Sequence, residues 1–162
     1  MSETTPALEL EPIELDEDAR ELIEAELAHL LQGMPDERRV PYERLSEAVA
    51  AGRVEPELAP LLERVVGLAL DTGRARRLYR AEGERILTDV FRRTPGGRAL
   101  TRSVEAVNRA LAASLAGRAL RSVRVGMRTL GHFTIELDAE GVSLTLAVRK
   151  DGVSIESLGA SA

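Results

Sequence analysis

Two histidines, His29 and His132, are the obvious places to look for acid–base or metal chemistry, and neither has metal-ligand spacing around it. His29 precedes a Leu-Leu pair near the end of a helical pattern, which suits a surface residue. His132 falls among the polar positions of an alternating segment, where Thr134 and Glu136 are its expected neighbours. The chain has no cysteine, so disulfides, thiolate nucleophiles and cysteine-ligated metals are excluded. There is no Gly-x-Ser-x-Gly elbow, phosphate loop or dinucleotide fingerprint. Carboxylates crowd residues 9–26, but nothing in their spacing sets a pair aside for acid–base work, and they read as solvated helix surface and acidic tail. No catalytic, cofactor-binding or metal-ligating residue is therefore assigned. A non-enzyme without cofactor is expected.

Arginine is the residue that stands out. It occurs 21 times, against a single lysine, Lys150. The net charge of −5 hides a segregated distribution: residues 1–73 carry −12, residues 74–128 carry +10 and residues 129–162 carry −3. Arg74, Arg76, Arg77 and Arg80 crowd one helix start, and Arg98 and Arg102 follow the turn Thr94-Pro95-Gly96-Gly97. These six are the candidates for binding a polyanion, since a cluster of guanidinium groups neutralises phosphates. The glycines before Arg98 also precede a helix N-terminus, which attracts anions, although Pro-Gly-Gly between helices is foremost a turn. Internal use of the charge competes with both readings, because the acidic half can face the basic segment across helix surfaces or across a subunit contact.

The elements that position these groups follow from hydrophobic periodicity. Residues 1–15 are acidic, contain Pro6 and Pro12, and read as a mobile tail with a sticky segment at Leu8, Leu10 and Ile13. Over residues 16–120 the pattern is helical. Leu22, Ile23, Leu27, Leu30 and Leu31 line a first helix from Asp16 to Leu31, and shorter helices open at Pro41 and Pro56, the second of them central. A fourth runs Arg74–Arg93. The fifth, from about Arg98 to Leu120, carries Leu100, Val104, Val107, Leu111 and Leu115 in a narrow seam, a candidate surface for self-association.

Beyond Leu120 the period becomes two. Val123, Val125 and Met127, then Phe133, Ile135 and Leu137, then Val142, Leu144, Leu146 and Val148, then Val153 and Ile155 alternate with polar residues. Turn signals at Gly131, Asp138–Gly141 and Asp151-Gly152 separate the runs, with Asp151-Gly152 read as a two-residue hairpin turn. Residues 121–158 thus make a four-stranded antiparallel β-meander with one apolar face, and helices and sheet together are expected to form one compact α+β domain.

No apolar run is long enough to span a membrane, and Met1 to Asp18 holds no basic residue, so neither membrane nor signal peptide is expected and the chain reads as cytoplasmic. The functional expectation is a non-catalytic protein–protein interaction protein, an adaptor, scaffold or assembly subunit that binds another protein or itself. The alternative is an accessory protein that binds nucleic acid or another polyanion through residues 74–128.

Overall fold

A computed structural model describes residues 11–160, and Leu8 and Leu10 lie outside them. The fold is α+β, with five α-helices among the described residues followed by a four-stranded antiparallel sheet. The chain divides into two compact units between Gly97 and Arg98, and the last helix lies almost entirely in the unit that holds the sheet.

The first unit begins with β1 (Ile13–Glu14), which pairs antiparallel with β2 (Arg53–Val54). Ile13 and Leu15 are buried, so the expected tail ends earlier than residue 15: two apolar side chains and the pairing with β2 tie this stretch to the core. Helix α1 (Glu17–Gln32) starts at Asp16, whose carboxylate accepts the Ala19 N–H at 2.8 Å. After a 3-10 turn (Asp36–Arg38) come α2 (Val40–Ala50) and α3 (Ala59–Asp71), both with proline in the first turn. Helix α3 contacts α1, α2 and the following helix, α4 (Arg74–Arg93), and buries Leu62, Val65, Val66 and Ala69, as its unbroken apolar pattern demands.

Helix α4 is broken. Arg80 has φ 60° and ψ −163°, a backbone region that glycine occupies and side chains avoid. Such a residue stores on the order of 1–3 kcal/mol of strain. Arg80→Gly is therefore expected to stabilise the chain by about 1 kcal/mol, once the conformational freedom of glycine in the unfolded chain is deducted. Urea denaturation checks this, and a midpoint shifted downward would show that the backbone there is not strained.

Helix α5 (Pro95–Leu115) begins three residues before the sequence places it, and Pro95 is its first residue. The Gly97 N–H donates to the Thr94 hydroxyl at 3.3 Å, and the Gly96 N–H donates to the Glu63 carboxylate at 2.6 Å. A side chain on Gly97 would drive its Cβ into the Phe91 carbonyl oxygen, so close backbone approach explains this glycine.

In the second unit, β3 (Leu120–Thr129), β4 (His132–Ala139), β5 (Val142–Arg149) and β6 (Gly152–Gly159) lie side by side in sequence order. Every connection is two residues long, and Gly131 and Gly141 supply the positive φ that the first two turns need. The third turn is Lys150-Asp151 rather than Asp151-Gly152. Gly152 already belongs to β6 opposite Arg149, and a Cβ there would sit 2.8 Å from the Ser103 hydroxyl of α5. This glycine serves the approach of helix to strand. Ser103 Oγ also accepts the Val153 N–H at 3.4 Å.

Candidate interaction surface

The sheet has one apolar face, and α5 covers only part of it. Val107 and Leu111 of α5 pack with Leu144 and Leu146 of β5, Ile135 and Leu137 of β4, and Val153 and Ile155 of β6. The seam Leu100–Leu115 is thus spent largely within its own unit. Val107 is buried, Leu100, Leu111 and Leu115 are half-buried, and Val104 is left exposed.

The larger open part is the β3 column; at the other edge Leu158 of β6 is also exposed. All ten residues of β3 are exposed. On the apolar face Val123 is 49%, Val125 71% and Met127 63% accessible, with Phe133 of β4, the cross-strand partner of Met127, at 40%. β3 is also an edge: among the described residues it pairs with β4 alone. A long edge strand with apolar side chains and unpaired backbone groups is a template for another strand. Contiguous exposed apolar surface of this kind marks contact sites.

The polar face is organised around Glu156, the extra residue of a bulge in β6. Arg128 of β3 reaches it at 2.9 Å and Arg149 of β5 at 3.1 Å, and its side chain is only 20% exposed. His132 lies here too, with Nε2 3.8 Å from the carboxylate, too far for a hydrogen bond. Its carboxylate neighbour is Glu156, where the sequence suggests Glu136. Alternation cannot foresee this, because a bulge adds a residue to the count. Beside this cluster, Arg124 and Glu136, paired in register, line a shallow polar groove with Ser122, Ser143 and Thr145.

The first unit carries a buried polar triad. Glu26 of α1 is 6% exposed, takes the Arg74 Nε–H at 2.8 Å and accepts the Tyr79 hydroxyl at 2.5 Å. Burial first, then the hydrogen bond and charge of Glu26, push the Tyr79 hydroxyl up to about 12, with Arg74 pulling the other way. Glu26 could have been found in the sequence: an acidic residue inside the stripe Ile23, Leu27, Leu30 needs a partner.

The six arginines proposed for a polyanion are not brought together in one unit, since Arg74, Arg76, Arg77 and Arg80 belong to the first and Arg98 and Arg102 to the second. Arg74 is bound to Glu26 and Arg76 to Glu84 at 2.9 Å. Farther along α4, Arg85 pairs with Glu82 and Asp89, and Arg92 with Asp89. Arg77 and Arg80 are exposed and make no ion pair among the described residues. The anion expected at the N-terminus of α5 is the chain's own Glu63. His29 is exposed near the end of α1, beside a shallow groove whose other lining residues include Met34, Pro35, Arg38 and Leu68.

No cluster of three metal-ligating side chains occurs among the described residues, and no helix among them is long and apolar enough to cross a membrane. The chain matches no known protein family, and neither a curated protein nor a solved structure is significantly similar to it.

Proposed function

We propose that the chain is a non-catalytic protein–protein interaction protein, an adaptor, scaffold or assembly subunit that associates with itself. One observation carries the reading: the edge strand β3 presents Val123, Val125 and Met127 in a row, each about half exposed or more, beside a helix that covers the neighbouring strands. Hydrophobic side chains aligned along an unpaired edge offer both apolar area and backbone hydrogen bonds to a partner.

The distribution of charge fits the same reading. Arg76, Arg85 and Arg92 of α4 are paired with carboxylates of the same helix, Glu84, Glu82 and Asp89, which leaves less of its positive charge for an outside polyanion. The alternative of a phosphate-binding surface keeps Arg77 and Arg80 as its strongest members. Light scattering of the full chain across concentration, at low and high salt and with and without a generic duplex, separates the two. Self-association that persists in high salt and ignores the duplex supports the proposal. A monomer at all concentrations overturns self-association, and a salt-sensitive shift onto the duplex transfers the function to the arginines.

A further inference from the structure

We infer that the partner of the β3 edge is a second copy of this chain, with two β3 strands pairing antiparallel about a twofold axis that passes through Val125. The inference rests on the self-association proposed above and names its surface, register and stoichiometry.

The usable length of the edge is fixed by its own irregularities. Arg121 is an extra residue between the pairs Leu120–Ala139 and Ser122–Asp138, and Arg128 is an extra residue between Met127–Phe133 and Thr129–His132. Bulges bend and twist a strand away from further pairing. The regular stretch between them is Ser122–Met127. A twofold dimer must put a residue opposite its own copy, because pairing offset by a single residue would join the apolar face of one sheet to the polar face of the other.

Only a few axes remain, and side-chain chemistry chooses among them. Axes at Ser122, Val123, Gly126 or Met127 pair three or fewer residues of the regular stretch, and the one at Gly126 also sets Arg124 against Arg128. An axis at Arg124 pairs five, but it sets two guanidinium groups directly opposite each other, which is destabilising. The axis at Val125 also pairs five. It places Val125 against Val125, Val123 against Met127 and Arg124 against Gly126, so apolar meets apolar and no arginine faces another.

Gly126 presents no side chain where the arginine of the second copy would lie. Its own sheet requires that glycine as well, since a Cβ there would come within 2.9 Å of the Thr134 hydroxyl. Arg124 keeps Glu136 as its cross-strand neighbour on β4, so an acidic group of the same chain accompanies it into the seam. The result is a continuous eight-stranded sheet in which the two open apolar columns adjoin. This is an isologous contact that closes on itself.

A residue that faces its own copy has an unusual property: either charge at that position repels, and the two charges together attract. Val125 is 71% exposed, so Val125→Glu and Val125→Lys leave the core of the unit untouched. In sedimentation equilibrium of the full chain, the unsubstituted protein is expected to dimerise. Each variant alone should dimerise at least about tenfold more weakly, and an equimolar mixture should recover dimers containing one of each. Circular dichroism of both variants confirms that each is folded. Unsubstituted protein that dimerises, with variants that dimerise equally well, overturns the β3 contact and leaves self-association standing. Weak variants that stay monomeric when mixed overturn the Val125 axis. An unsubstituted chain that is monomeric throughout overturns both the contact and the proposal beneath it.

Discussion

Glu26→Ala is expected to cost about 3–5 kcal/mol of stability, an effect comparable to half the stability of an ordinary domain. The carboxylate is 6% exposed and holds two groups, the Arg74 guanidinium and the Tyr79 hydroxyl. Its removal strands a half-buried positive charge and an unsatisfied hydroxyl, and the penalty of stranding them exceeds what the intact triad contributes. The triad also joins α1 to α4 across 48 residues of sequence, next to the strained Arg80. Urea denaturation measures the loss. A cost below about 1 kcal/mol would mean that water reaches the triad and screens it.

The same triad sets a pH dependence whose sign follows from Tyr79. Its hydroxyl is raised from 10.0 to about 12 in the folded chain. A raised value means that the folded state keeps a proton that the unfolded state releases. This stabilisation is fully present below pH 10 and is lost as the pH rises from 10 towards 12. Stability should therefore fall across that window, and Tyr79→Phe should flatten that part of the slope.

Leu144→Ala is expected to cost about 2–5 kcal/mol, while Leu158→Ala should change stability by no more than about 0.5 kcal/mol. The two leucines are cross-strand partners on β5 and β6 and point to the same face of the sheet. One is fully buried and the other is 56% exposed. The difference comes from α5, whose Val107 and Leu111 pack in the cluster around Leu144. The core of this unit is thin, with Val107, Leu144 and Leu146 as its large buried side chains, so a cavity at Leu144 removes a substantial share of it. Equal losses at the two positions would show that the helix does not seat on the sheet in this way.

The outline of the fold was legible in the sequence because burial imposes a period. Val142, Leu144, Leu146 and Val148 announce a strand with one covered face, and Leu58 to Ala69 announce a helix covered on most sides. Period says which face is apolar and not what lies on it. The seam from Leu100 to Leu115 reads equally well as an intersubunit contact, yet Val107 and Leu111 meet their own sheet. In the same way the alternation at Val123, Val125 and Met127 matches that of its neighbours, and only the placement of α5 leaves this column open. The break at Arg80 left no trace, because Arg, Leu, Tyr and Ala around it are compatible with a continuous helix. The partners of Glu26 lie 48 and 53 residues away, so spacing could mark the need for them and not their identity.

Pairing of β3 with β3 at Val125, as proposed above, can be trapped covalently, because the chain has no cysteine of its own. Directly opposed residues of an antiparallel pair have Cα atoms about 4.5–5.5 Å apart, within disulfide reach. Val125→Cys and, as a control for random collision, Leu130→Cys at the 95% exposed turn are each oxidised in dilute solution and their masses compared. In the paired dimer the two copies of residue 130 lie on the order of 30 Å apart. If the strands pair in this way, Val125→Cys converts to a covalent dimer while Leu130→Cys remains monomeric. A Val125→Cys chain that stays monomeric, or that links no faster than the control, would contradict it.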